Sequence, residues 1–268
     1  MRTVVVIPAY NEERTVAEVV RRVREHTRLN FAEQNLGGHI SDVVVIDDGS
    51  DDATGDRARS AGAAVVRHCV NRGLGAALGT GIAAALHMDA DAIVTLDADG
   101  QHDPAEIVAL VAPIAQGEAD LVIGVRFSPP PPTPPPGGMG GNKEERGENK
   151  VFFLPLPAGG GARGGGAPWA RHLFNGIANV VTRVLFGVRC SDTQSGFRCF
   201  SRRAAELIEI RTNRMEVSSE ILAEAARHHL RMVEVPISTI YTSYSLSKGQ
   251  GFTVGVRTAW ALFLRKLF

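Results

Sequence analysis

The chain of 268 residues has only three cysteines, Cys69, Cys190 and Cys199, an odd number with no Cys-x-x-Cys pair. That argues against a disulfide framework and a zinc ribbon, and for reduced thiols in an intracellular setting. Neither charge is in excess, since Lys plus Arg is 29 and Asp plus Glu is 29, so nothing global favours nucleic acid. No run of 18 apolar residues is present, and no membrane span is expected. Met1-Arg2-Thr3 leads straight into a strand-like segment without the regions of a signal peptide. The expected location is cytoplasmic, free or peripheral on the cytoplasmic face of a membrane. Also missing are a Walker loop, a Gly-x-Gly-x-x-Gly after the first strand, and a Gly-x-Ser-x-Gly or Cys/His nucleophile pattern.

What remains is an ordinary globular composition, 44% hydrophobic and 22% charged, enough to bury one large core. Thr3 to Ile7, Asp42 to Ile46, Ala64 to Arg67, Ala92 to Leu96 and Leu121 to Val125 are short runs that predict strands, the first of them buried. Between them, Glu12 to Glu25 places Val16, Val19, Val20 and Val23 at helical spacing. Thr54 to Ala61, Gly73 to His87 and the segment opened by Pro104 also predict helices. The alternation predicts an α/β fold with one mostly parallel sheet flanked by helices.

From Ser128 to Pro168 the pattern breaks: these residues hold 10 of the 14 prolines and 11 of the 29 glycines. Residues 128–168 are therefore expected to be a low-complexity, disordered insert, with Phe152-Phe153-Leu154 an apolar island able to dip into lipid. Beyond it, Trp169 to Phe186 and Val217 to His229 predict helices, Ser191 to Phe200 a polar turn and short strand, and Met232 to Tyr241 a strand. Pro236 inside that strand points to a sheet edge. Residues 252–268 predict an amphipathic helix with Trp260, Phe263, Arg265 and Lys266, suited either to a membrane interface or to covering the sheet. No second domain with its own core is expected.

Ligands of parallel sheets bind outside the carboxyl ends of the strands. Three predicted strands end there in polar clusters: Ala9-Tyr10-Asn11-Glu12, Asp47-Asp48-Gly49-Ser50 and Asp97-Ala98-Asp99-Gly100. Two carboxylates at a buried strand end repel each other, and a divalent cation such as Mg2+ or Mn2+ is the simplest compensation. Asp99 capping the helix at Pro104 is the plainer alternative. The Asp47–Asp52 run can accept hydrogen bonds from a base or ribose, or serve as a turn and helix cap through Ser50 and Asp51. Asn71-Arg72-Gly73-Leu74-Gly75 opens a helix whose N-terminus would attract phosphate. Asp192-Thr193-Gln194-Ser195-Gly196-Phe197-Arg198 reads as a dense polar turn. None of the histidines shows a metal-ligand spacing.

In this order and spacing, Pro8-Ala9-Tyr10-Asn11-Glu12, Val45-Ile46-Asp47-Asp48-Gly49-Ser50, Asn71-Arg72-Gly73-Leu74-Gly75 and Leu96-Asp97-Ala98-Asp99-Gly100-Gln101 resemble glycosyltransferase family 2, with its GT-A fold as one domain over residues 1–268, the resemblance covering nearly the whole chain except the Pro/Gly insert. Gly124-Val125-Arg126, Arg171, the Asp192–Arg198 turn and Met215 to Glu220 look like the dolichyl- or polyprenyl-phosphate hexosyltransferases. The resemblance implies inverting transfer of a hexose, mannose or glucose, from GDP-mannose or UDP-glucose to a dolichyl or polyprenyl monophosphate.

Residue by residue, it implies that Asp97, Asp99 and Gln101 hold the metal. The nucleotide sugar would lie among Pro8, Tyr10, Glu12, Asp47, Asp48, Arg72, Asp97 and Ala98. The acceptor phosphate would meet Arg126, Arg171, Ser195 and Lys248, the last within a Ser-Lys element. Asp99, Arg126 and Asp192 would be the catalytic set. A lipid phosphate is already ionised at neutral pH and needs no strong base. The alternative, transfer to a soluble or glycan hydroxyl, requires a base of raised pKa, with Asp192, Glu216 or Glu220 as candidates. A membrane surface or a membrane subunit is the implied partner.

Overall fold

The computed structural model describes residues 1–33, 39–126, 152–153, 190–214 and 216–240. Arg171, Lys248, the helices expected over 169–186 and 252–268, and all but two residues of the 128–168 insert lie outside the described residues.

Among the described residues eight strands form one sheet: β1 (Arg2–Ala9), β2 (His39–Asp47), β3 (Ala64–Arg67), β4 (Ala92–Thr95), β5 (Leu121–Val125), β6 (Phe152–Phe153), β7 (Arg198–Ser201) and β8 (Met232–Pro236). Their order is β3-β2-β1-β4-β7-β5-β8-β6. Every pairing is parallel except the two made by β7, which runs antiparallel between β4 and β5. The described helices are α1 (Val16–Glu33), α2 (Thr54–Ser60), α3 (Leu74–His87), α4 (Ile107–Ala115), α5 (Arg202–Leu207) and α6 (Val217–Arg227), with a 3-10 turn at Pro104–Glu106.

The period-2 alternation of side chains divides the core between the two sheet faces. Val5 and Ile7 of β1, with Val43 and Val45 of β2, pack under Val16, Val20 and Val23 of α1 and Leu110 of α4. Val4 and Val6, with Val44 and Ile46, pack under Leu78 and Ile82 of α3 and, further along, Ile221 and Leu222 of α6. Both faces are covered, which is why the strands read as continuous apolar runs.

Two local expectations change. β1 does not stop before Pro8 but carries it, paired with Ile46 of β2. Leu96 donates to the Val6 carbonyl, so Val6 and, two residues on, Pro8 face the β4 side, where β4 has already ended. The missing N–H of proline costs nothing there. Nor is β8 an edge strand: it lies between β5 and β6. β6 reaches only Val233 and Glu234, so Pro236 stands past the end of that pairing. Phe152 and Phe153 thus supply the sheet's last strand rather than a free apolar island. All three cysteines are free, and burial pushes the Cys190 and Cys199 thiols up, which keeps them unreactive.

β1 is flanked by β2 on one side and β4 on the other, and the chain order reverses there. The crevice at the carboxyl ends of β1 and β4 is the topological switch point where such sheets take ligands.

Candidate active site

The strand-end clusters converge on that crevice. Past β4, Asp97 turns one carboxylate oxygen, Oδ2, to His102 Nε2 at 3.2 Å. Thr95 Oγ1 donates to the Gly196 carbonyl at 2.8 Å, which draws the Asp192–Phe197 turn over the same carboxylate. A β-carbon on Gly196 would stand 2.4 Å from Asp97 Oδ1, so only glycine allows this approach. Burial opposes the charge on Asp97, but the His102 hydrogen bond and the nearby charges of Arg126 and Arg198 outweigh it and hold the carboxyl below its usual range. Asp99 goes the other way. Burial, then the neighbouring charge of Asp97, pushes it up to about 6, although the Gln101 N–H donates to its Oδ1 at 3.0 Å. The carboxylate of Glu12, from the end of β1, adds to that repulsion. Asp99 is not the helix cap; Asp103 is, accepting from Ala105 N at 3.1 Å.

Among the described residues no group of three or more His, Cys, Asp or Glu could cage a metal ion. Two mutually repelling carboxylates at a strand end nevertheless fit a hard cation that takes the rest of its shell from a substrate's phosphates. The upward displacement of Asp99 is the excess negative charge that such a cation would relieve.

At the end of β2 the carboxylates turn inward. Asp47 is fully buried; its Oδ1 accepts from Ser50 N at 2.9 Å. Its Oδ2 has no hydrogen bond and lies 3.4 Å from Arg67 Nε. Asp48 accepts from Arg72 N at 2.9 Å, Gly73 N at 2.7 Å and His68 Nδ1 at 2.6 Å, while His68 Nε2 meets Thr80 Oγ1 at 3.0 Å. The β1 loop is laced to this one: Asn11 N donates to Ser50 Oγ at 3.0 Å and Glu12 N to Thr54 Oγ1 at 2.8 Å. Asp52, rather than Ser50 or Asp51, accepts from the first turn of α2, at Thr54 N. Tyr10 is exposed at the mouth.

The glycine-rich opening of α3 differs from its expected role. Its amides do not await phosphate: those of Arg72 and Gly73 are taken by Asp48, and that of Gly75 by the Asn213 carbonyl at 3.0 Å. The glycines are there for close packing, since a β-carbon on Gly75 would stand 1.8 Å from the Thr212 carbonyl oxygen and one on Gly73 2.0 Å from that of Asn213. The Arg72 side chain itself is exposed. Glu220 of α6 holds the opposing loop by accepting from Arg211 N, Thr212 N and Thr212 Oγ1.

On the other flank, Arg126 at the end of β5 grips Asp192 through Nε at 2.7 Å and Nη2 at 2.9 Å, and its backbone N–H adds a third donor at 3.2 Å. Asp192 is fully buried. Burial opposes its charge, but Arg126 and then Arg198 hold its carboxyl below the usual range. Ser195 is buried, and its Oγ accepts from Phe197 N at 3.4 Å. Arg198 Nη2 donates to the carbonyls of Thr193 and Ser218 from a fully enclosed position.

Asp97, Asp99, Glu12, Arg126 and Asp192 are thus brought together. Asp47, Asp48 and Ser195 build the loops around them. Sequence reasoning missed His68, His102, Arg198 and the task of Glu220. A histidine five residues after Asp97 was the one available signal, and it becomes meaningful only once the loop is folded.

Residues 4–154 match the family model described as Glycosyl transferase family 2. The chain is 35% identical over 266 residues to an uncharacterized protein of Methanocaldococcus jannaschii, covering 98% of this chain and 92% of that one. It is 29% identical to a UDP-N-acetylglucosamine–dolichyl-phosphate N-acetylglucosaminyltransferase of Methanococcus voltae, covering 98% and 95%. It is 27% identical to an undecaprenyl-phosphate mannosyltransferase of Micrococcus luteus, covering 99% and 96%. Its fold matches the crystal structure of glucosyl-3-phosphoglycerate synthase from Mycobacterium tuberculosis in complex with Mn2+, UDP and phosphoglyceric acid, with a TM-score of 0.62 at 21% identity over 99% of this chain and 78% of that one. That likeness is one of architecture, the GT-A sheet with its flanking helices.

Proposed function

The chain belongs to glycosyl transferase family 2, and from that premise we propose that it moves a hexose from a nucleotide sugar to a polyprenyl or dolichyl monophosphate, with inversion at the anomeric carbon. The observation that carries this reading is that two of the three candidate bases, Asp192 and Glu220, are already engaged. Asp192 is buried and clamped by Arg126, and Glu220 is filled by two backbone amides and a hydroxyl. A hydroxyl acceptor needs a base poised near neutrality. A phosphate acceptor does not, because its second pKa is about 6. The names of the Methanococcus and Micrococcus relatives support the same acceptor class.

In this reading the nucleoside lies between Pro8, Tyr10 and Glu12 on one side and Asp47 and Asp48 on the other. Asp47 and Asp48, buried and bonded to backbone amides of the loops around them, shape that side of the crevice. Arg72 flanks the diphosphate, and the backbone of Ala98 lies between the carboxylate-bearing residues Asp97 and Asp99 beside it. Asp97, Asp99 and Gln101 would hold a Mg2+ or Mn2+ ion, which when bound neutralises charge gathering on the departing diphosphate. Arg126, oriented by Asp192, receives the acceptor phosphate together with Arg171, Lys248 and the Ser195 turn; a guanidinium fork matches phosphate oxygens. One phosphate oxygen then attacks the anomeric carbon as its bond to the diphosphate oxygen breaks, and a nucleoside diphosphate leaves. The 252–268 segment, apolar with Arg265 and Lys266, suits residence at a cytoplasmic membrane face.

The test is incubation with Mg2+ or Mn2+, a panel of nucleotide sugars and a short polyprenyl phosphate in detergent, followed by mass analysis. A lipid-phosphate-hexose with free nucleoside diphosphate is expected. Turnover only with a sugar or glycan hydroxyl in place of the lipid would reverse the assignment.

A further inference from the structure

His102 is a buried polar group that the proposed transfer does not use. It sits in the turn between Asp99 and the Pro104–Glu106 turn, 3% exposed, with its ring centroid 5.0 Å from that of Phe197 and tilted by 40°. Its loop is pinned from outside. Ile240 N donates to the Gln101 carbonyl at 2.9 Å, Ser238 N to Glu106 Oε1 at 2.9 Å, and Thr239 bridges to His102 itself. Nε2 lies 3.2 Å from Asp97 Oδ2, whereas Nδ1 is buried with no hydrogen-bond partner among the described residues.

That asymmetry settles which nitrogen carries the proton. A proton on Nδ1 would be a buried donor with no acceptor, while one on Nε2 has a carboxylate to receive it. His102 therefore donates to Asp97. The Asp97 side chain is 41% exposed, and the His102 bond anchors one of its oxygens. Gly196 closes the other side, since even a β-carbon there would press to 2.4 Å on Oδ1 and 2.6 Å on Oδ2.

We propose that His102 is the positioning residue of the cation and donor site: its Nε2–H fixes the rotation of the Asp97 carboxylate and occupies one lone pair of Oδ2, leaving the remaining face for a divalent cation. The proposal rests on the reading that Asp97 and Asp99 hold such a cation. Outer partners of this kind are worth about 10–100-fold in metal affinity.

The decisive pair of variants is His102→Gln and His102→Met. Both replace the ring with a straight chain of similar length and lose the contact with Phe197 equally, and only Gln keeps an N–H. Mn2+ binding is read by the EPR signal of the free ion, with metal alone and with UDP or GDP present, beside a thermal melt of each protein. His102→Met is expected to bind Mn2+ about 10–100-fold more weakly than the unaltered chain while remaining folded, and His102→Gln to recover most of the loss. Equal weakening of both variants, no weakening of either, or failure of both to fold would each assign His102 to ring packing and overturn the proposal. Asp97→Asn separates the two layers: if it binds Mn2+ like the unaltered chain, the cation site itself is misplaced. If only Asp97→Asn loses binding, the site stands and the role of His102 does not.

Discussion

Substituting Asp99→Asn should abolish transfer and at the same time make the metal-free protein more stable at neutral pH. The Asp99 carboxyl is pushed up to about 6 by burial and by the adjacent charge of Asp97. In an unfolded chain it titrates near 3.9. Below that pH the group is protonated in both states and costs nothing. As pH rises toward 6 the unfolded chain ionises while the folded one resists, so a penalty on folding builds up and stays constant above about 6. Two units at 1.36 kcal/mol each set a ceiling of about 3 kcal/mol, which partial exposure of Asp99 to water lowers to about 1–2 kcal/mol. Asparagine removes the charge and retains an oxygen for the Gln101 N–H now bonded at 3.0 Å. Urea midpoints in chelator from pH 4 to pH 8 measure the difference. The variant's advantage over the unaltered chain should grow as pH rises from 4 to 6, and Mn2+ should stabilise only the unaltered chain. A variant that is less stable at pH 7.5, or whose advantage is the same at pH 4 and pH 7.5, would refute the reasoning that Asp99 is electrostatically strained for cation binding.

Other outcomes follow from the same geometry. Arg126→Ala strands the buried Asp192 carboxylate and should cost about 3–5 kcal/mol, measured by denaturation. Adding Asp192→Asn should restore most of that stability without restoring transfer. Glu220→Gln should keep measurable transfer with a lowered melting temperature, because Glu220 holds a loop through three donors; a drop in kcat of several orders of magnitude at unchanged stability would make it the base. Gly75→Ala should destabilise the fold despite alanine's better helix propensity, because the new methyl group would stand 1.8 Å from the Thr212 carbonyl oxygen.

The sheet was legible where burial on both faces leaves its mark, in Val4–Ile7, Val43–Ile46 and Ala92–Thr95, and so was the crevice, because three strands end in acidic or polar clusters at one edge. What local pattern does not carry is contact between distant segments. The α3 opening reads as a phosphate loop until the 212–213 carbonyls are seen to occupy it. Pro236 reads as an edge signal until β6 is seen to stop two residues short of it. Arg198 reads only as part of a polar turn, yet it is fully enclosed, donating to the Thr193 and Ser218 carbonyls. His102 has no metal spacing of its own, and its role depends on Asp97, Phe197 and the 238–240 segment all arriving at one place.

The most direct test of the central claim is the pH dependence of transfer to a polyprenyl phosphate, with each product's mass determined at saturating Mn2+. A phosphate acceptor that needs no base should give a lipid-phosphate-hexose whose rate of formation rises with ionisation of the acceptor's second proton, near pH 6 in this chemistry, then stays level, and survives Glu220→Gln. Product formed only on a hydroxyl acceptor, with a rate that tracks one protein carboxylate and vanishes when that carboxylate is replaced, would contradict it.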